Sequence, residues 1–151
     1  MTRIIGGIAG SRTLASPAKV TRPTSDRIRE SIFNRLEALN LINGSDVLDL
    51  YAGTGALGLE AASRGCRSVV LVEQHKQALG GIITNQRMVK TALQKEELDC
   101  DIRAEGKSVA SYLSTYSGMF DLVFIDPPYE ISNTEIHENL TALNSHLNED
   151  A

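Results

Sequence analysis

Residues 47–65, VLDLYAGTGALGLEAASRG, constrain this chain more than any other stretch. The run opens with Val47-Leu48-Asp49-Leu50-Tyr51, an apolar segment of the length expected for one buried parallel strand. Gly53, Gly55 and Gly58 follow in the spacing G-x-G-x-x-G. From Ala56 the pattern turns helical, with Leu57, Leu59, Ala61 and Ala62 among good helix formers, and Gly65 supplies a stop. Strand, glycine turn and helix make the first half of a nucleotide-binding crossover. Gly53 and Gly55 permit a close backbone approach that a Cβ would obstruct, and the helix N-terminus offers unpaired N–H groups. By itself the spacing is a weak signal, because any tight strand-to-helix turn can use it.

Two later segments strengthen it. Ser68-Val69-Val70-Leu71-Val72-Glu73 reads as a second strand ending in an acid, fifteen residues beyond Gly58. That is near the spacing at which a carboxylate meets ribose hydroxyls. Asp121-Leu122-Val123-Phe124-Ile125 then leads into Asp126-Pro127-Pro128-Tyr129. Proline cannot continue a central strand, so the strand ends near Asp126 and leaves that carboxylate at the carboxyl edge of a sheet, where open α/β sheets bind ligands.

The remaining elements fall between these. Residues 3–14 have short apolar groups broken by glycine and serine, the pattern of a small hairpin. A turn-rich connector from Ser16 to Pro23 precedes a helix over about 25–40, capped by Thr24 or Ser25, with an expected apolar stripe of Ile28, Ile32, Leu36 and Leu39 beside Phe33. A helix over 75–93 is expected to be weak or bent at Gly80-Gly81. A third strand is expected over 99–104, a short helix over 107–116, and a last helix opened by the capping-box spacing Ser132-Asn133-Thr134-Glu135, with a stripe of Ile136, Leu140, Leu143 and Leu147. This alternation implies an α/β fold, a Rossmann-like parallel sheet with helices on both faces. One domain over 1–151 is expected, with 1–40 a basic hairpin and helix extension and 46–151 the core.

Composition excludes several classes. At 42% hydrophobic and 23% charged, the 151 residues are those of an ordinary globular domain rather than a disordered or fibrous chain. No run approaches a membrane span, and MTRIIGG lacks the apolar core of a signal peptide, so a cytoplasmic protein is the expectation. Cys66 and Cys100 lack zinc or redox spacing and read as reduced structural thiols. The net charge is −4, yet residues 1–36 carry seven Lys/Arg against Asp26 and Glu30, a net of +5. Such asymmetry suits either a solvated basic face or a nucleic-acid contact on an acidic protein.

Asp126-Pro127-Pro128-Tyr129 is the sharpest chemical signal. An exocyclic amine on a nucleobase attacks poorly, because its lone pair is delocalised into the ring. A carboxylate and a carbonyl accepting its two N–H bonds would localise that pair on nitrogen. Asp126 and the Pro127 carbonyl are of the right types, and the two prolines bring no N–H to compete. Tyr129 can stack on the base, an interaction worth about 1–3 kcal/mol, once the base has left its own stack.

The chain resembles the S-adenosylmethionine-dependent methyltransferases, and within them the RsmD-like family, which methylates guanine N2 in small-subunit (16S) ribosomal RNA. RIIGG, RPTSDRIRESIFN, VLDLYAGTGALGLEAASRG, VVLVE and LVFIDPPY carry the likeness, from Arg3 to Tyr129. The resemblance implies the class I methyltransferase fold, S-adenosyl-L-methionine as cofactor with S-adenosyl-L-homocysteine as product, and no metal. It implies that Asp49, Tyr51, Gly53 and Gly55 line the methionine end, that Glu73 holds the ribose, and that Asp126, Pro127, Pro128 and Tyr129 position the amine. It also implies that the segment from Arg22 to Arg29, including Arg27, closes over the cofactor, and that Arg12, Arg22 and Arg29 help to hold RNA. The implied partner is ribosomal RNA or a small-subunit assembly particle, met by a monomer. Asp126 or water would take the proton released. Two departures stand out. Where many members carry an aspartate for the adenine, this chain has Ala104-Glu105-Gly106, so the contact comes from Glu105, from backbone or from nothing. Members also continue into further strands, which leads to the expectation of a sheet lacking its C-terminal strands.

Three other readings compete. A nicotinamide-dependent dehydrogenase would explain the glycine loop and Glu73 but gives D-P-P-Y no role. A non-catalytic RNA-binding relative has no use for Asp49, Glu73 and Asp126. An adenine N6 methyltransferase on DNA or RNA would use the same residues.

Overall fold

In the computed structural model, which describes residues 2–16 and 25–151, four parallel strands form one sheet in the order β3-β2-β1-β4. The strands are β1 (Asp46–Leu50), β2 (Ser68–Val72), β3 (Asp101–Glu105) and β4 (Leu122–Ile125). The helices are α1 (Asp26–Ala38), α2 (Ala56–Ser63), α3 (Lys76–Lys95), α4 (Val109–Thr115) and α5 (Asn133–Leu143). Register pairs Leu48 with Val70 on one side and with Val123 on the other, so β1 is central and buried on both faces.

Side-chain alternation divides the interior into two layers. Val47, Val69, Leu71 and Ile102 point to a layer built with Phe33 of α1, Leu59 of α2 and Ile82 and Val89 of α3. Leu48, Leu50, Val70 and Val72 point to the opposite layer, closed by Val109, Tyr112 and Leu113 of α4 and Leu143 of α5. The third glycine of the loop has a packing reason. A Cβ on Gly58 would lie 2.5 Å from Leu71 Cδ2 and 2.9 Å from Val69 Cγ2, so α2 can lie this close to β2 only with glycine there.

The N-terminal residues form a small hairpin closed by an antiparallel bridge between Arg3 and Thr13. It sits on α2, where Glu60 accepts from Ile5 N at 2.7 Å and Gly6 N at 2.9 Å, and Ser63 Oγ accepts from Ala9 N at 2.8 Å. Among the described residues no helix is long and apolar enough to cross a membrane.

Two sequence expectations about packing are corrected. The apolar stripe expected on α1 is not its buried face: Ile28, Ile32 and Leu39 are exposed, and Arg29 and Phe33 are buried instead. Arg29 can lie inside because Asp26 and Glu60 pair with its guanidinium, while Phe33 packs on Phe124 at a centroid distance of 5.3 Å. The stripe on α5 breaks up in the same way. Leu143 is buried and Leu140 exposed, the helix ends at Leu143, and Leu147 lies beyond a 3-10 turn in a parallel bridge with Phe120. α3 is one helix through Gly80-Gly81, where packing of Ala78, Ile82, Asn85 and Val89 offsets glycine's weak helix propensity. The two thiols are free and buried, as expected. Although distant in sequence, they meet at an Sγ–Sγ distance of 3.7 Å just before β2 and β3. Ser132 caps α5, accepting from Glu135 N at 3.1 Å.

Candidate active site

A cavity of about 340 Å³ opens at the carboxyl ends of β1, β2 and β4. β1 ends at Leu50, and the chain turns sharply, with positive φ at Tyr51, Gly53 and Gly55. Two bonds to the second strand fix the turn: Ala52 N donates to Val72 O at 3.0 Å, and Gly53 N to Glu73 Oε1 at 2.9 Å. From α3, Asn85 Nδ2 donates to Thr54 O at 2.9 Å and to Ala15 O at 3.0 Å, tying the loop to the N-terminal segment. Gly55 then caps α2 in the left-handed conformation.

Glu73 is buried and faces the cavity. Its Oε2 accepts from His75 N at 2.9 Å, so backbone donors grip both oxygens. Each oxygen keeps a second lone-pair direction for a ligand hydroxyl. Asp49 sits beneath the loop rather than in the cavity wall. It is 1% exposed, its Oδ2 accepts from Gly58 N at 2.9 Å, and its Oδ1 has no hydrogen-bond partner among the described residues. Burial pushes its carboxyl up to about 7; the Gly58 bond opposes that rise, while the negative charges of Asp126 and Glu73 add to it.

Across the cavity stand Asp126, Pro127, Pro128 and Tyr129. Register sets Leu50 beside Ile125, so Tyr51 and Asp126 leave neighbouring strands at the same level. Tyr129 is 78% exposed, with its ring at the rim. The cavity therefore gathers Tyr51, Gly53, Glu73, Asp126, Pro127, Pro128 and Tyr129, drawn from two ends of the sequence. Glu73, Asp126, Glu130 and Glu135 give it an acidic wall, against Arg29 and Lys107. An acidic wall and a glycine turn suit a cationic nucleoside ligand.

Other expected site residues are placed elsewhere. Gly55 shapes the loop without lining the cavity. Glu105 does not line the cavity; its backbone O accepts from Glu73 N at 3.0 Å, and Lys107, Ser108 and Val109 line that side. Arg27 lies on α1 away from the cavity, because the helix turns Arg29 inward and leaves its neighbour outside. Arg29, expected on an RNA surface, is 1% exposed and is held by Asp26 and Arg3 O. Arg12 is half-buried and donates to Ile8 O at 3.1 Å. Arg22 lies outside the described residues. Sequence reasoning missed Asn85 and Asn139, buried amides that bond to the site from α3 and α5. A neutral amide inside an apolar helix stretch is the one signal that could have drawn notice to them.

Over residues 2–151 the chain matches the protein family described as conserved hypothetical protein 95. It is 34% identical over 150 residues to ribosomal RNA small subunit methyltransferase D of Escherichia coli (strain K12), covering 99% of this chain and 71% of that protein. It is 32% identical over 152 residues to the protein of the same name from Haemophilus influenzae, covering 99% of this chain and 75% of the relative. Among solved structures, a hypothetical protein of Thermus thermophilus superposes with a TM-score of 0.75 at 30% identity, over 98% of this chain and 81% of that one.

Proposed function

The chain belongs to the family of conserved hypothetical protein 95, and from that footing we propose that it transfers a methyl group from S-adenosylmethionine to the N2 amine of a guanine in small-subunit ribosomal RNA. The observation that carries the reading is the meeting of the glycine loop and the D-P-P-Y turn across one cavity. The relatives named as ribosomal RNA small subunit methyltransferases support the substrate class.

S-adenosylmethionine supplies an already activated methyl on a sulfonium, so the protein's work is orientation and electrostatics. Glu73 offers oxygens for the ribose hydroxyls, and the turn from Tyr51 to Gly55 takes the methionine end. The acidic wall favours the positive charge. On the other side Asp126 and the Pro127 carbonyl accept the two N–H bonds of the amine and localise its lone pair. Tyr129, exposed at the rim, stacks on the extruded base. Arg12 and Arg22 serve as phosphate contacts, binding that weakens with salt.

The test is methylation of small-subunit RNA or assembly particles, followed by nucleoside analysis. The expected product is N2-methylguanosine, lost by at least about a hundredfold in Asp126→Ala. N6-methyladenosine would overturn the base assignment, and an active Asp126→Ala would remove that carboxylate from the chemistry.

A further inference from the structure

Tyr51 is where β1 passes into the glycine loop, and its backbone is left-handed, with φ 58°. That conformation suits glycine or asparagine and penalises a bulky side chain. A tyrosine held there points to a contribution from the side chain. The ring forms part of the cavity wall. Its phenol oxygen accepts from Asn139 Nδ2 at 2.6 Å. Asn139 is 6% exposed on α5, one turn before the buried Leu143.

The position of α5 gives the bond its meaning. The D-P-P-Y turn leaves β4 at Asp126, and the chain re-enters regular structure at the Ser132 cap of α5. The turn is thus slung between a strand end and a helix. Its first end is fixed beside β1 by the sheet register. The Tyr51–Asn139 bond ties the helix at its second end to β1 as well.

We propose that Asn139 is a positioning residue: acting through the Tyr51 phenol, it holds α5 against the end of β1 and so fixes the D-P-P-Y turn at its working distance from the cofactor loop. The inference rests on the methyltransferase reading of the cavity. In-line transfer is sensitive to displacement of donor or acceptor by a fraction of an ångström. A loose α5 would widen the range of donor–acceptor distances without removing any group that binds the cofactor.

The test compares wild type with Asn139→Leu, which keeps the volume, with Tyr51→Phe, and with the double variant. Hydrogen exchange in the cofactor-free protein reads the strut itself. Amides of residues 129–139 should lose at least about tenfold of their protection in each variant, while those of β1 and β2 stay unchanged. Turnover on small-subunit RNA should fall by about ten- to a hundredfold, with the dissociation constant of S-adenosylmethionine within about threefold of wild type in Asn139→Leu. The double variant should be no worse than the worse single one, since both remove one bond. Unchanged exchange at 129–139 would overturn the strut. Loss of exchange protection with full turnover would overturn its part in catalysis, and so would turnover and affinity falling together with global unfolding. A wild-type protein that methylates nothing would count against the methyltransferase reading, while the exchange result would still decide whether the strut exists.

Discussion

Asp49 shows how a single residue couples fold and site. It lies mid-sheet on the central strand, facing α2, and a carboxyl there is held by one backbone N–H with its other oxygen unsatisfied among the described residues. Its folded-state value near 7 stands above the ordinary 3.8. The folded form therefore keeps a proton that the unfolded form has lost, and the stability this group contributes is complete below about pH 4 and lost as pH rises through about 7. Asp49→Asn is neutral throughout and still offers an oxygen to Gly58 N–H. Urea unfolding should show the variant gaining on wild type by roughly 2–3 kcal/mol between about pH 5 and about pH 8. A difference independent of pH would mean that Asp49 is ionised in the fold. Residue identity made Asp126 and Glu73 legible in the sequence, because a carboxylate at a strand end has few structural uses. It did not reveal that Arg29 is buried, since charge alone suggests solvent. Only the three-dimensional pairing with Asp26 and Glu60 reverses that.

At the scale of elements, α2 carries two loads. Its N-terminus faces the cavity, and its flank anchors the N-terminal hairpin through Glu60. Glu60 is fully buried, accepts two backbone N–H groups, and pairs with Arg64 Nε at 2.8 Å and with Arg29 Nη1 at 3.7 Å. Removing one partner of such a cluster leaves buried charge uncompensated, a loss of about 3–5 kcal/mol. Glu60→Ala should therefore lower the unfolding midpoint strongly and expose the hairpin to proteolysis, with Glu60→Gln milder. A near-neutral Glu60→Ala would show that solvent reaches the cluster. The order and type of the elements were readable from periodicity and glycine punctuation. The buried faces of α1 and α5 were not, because the stripe rule ranks apolar side chains and cannot foresee a buried arginine or asparagine that brings its own partners.

For the whole molecule, the sheet order does what no local pattern states. The glycine loop and the D-P-P-Y turn are about seventy residues apart in sequence, and the adjacency of β1 and β4 sets them face to face. Alternating strands and helices made the parallel sheet legible, and with it the edge where both motifs end. The charge distribution was legible only as a sum. Of the basic residues near the N-terminus, Arg3 pairs with Asp26 at the surface and Arg29 is buried, so part of the apparent basic face is already paired or inside the fold. The cavity itself is acidic, which suits a cationic cofactor, and under the proposed function the anionic backbone of RNA would fall to residues outside it.

The proposed transfer needs one cavity with two sides, a cofactor side at Glu73 and an amine side at Asp126. Calorimetric titration of the chain with S-adenosylmethionine, with NADH as control, tests it most directly. S-adenosylmethionine is expected to bind and NADH not to, Glu73→Ala to weaken binding by at least about tenfold, and Asp126→Ala to stay within about threefold of wild type. Folded protein that binds NADH in preference, or that binds S-adenosylmethionine equally well without Glu73, would contradict it.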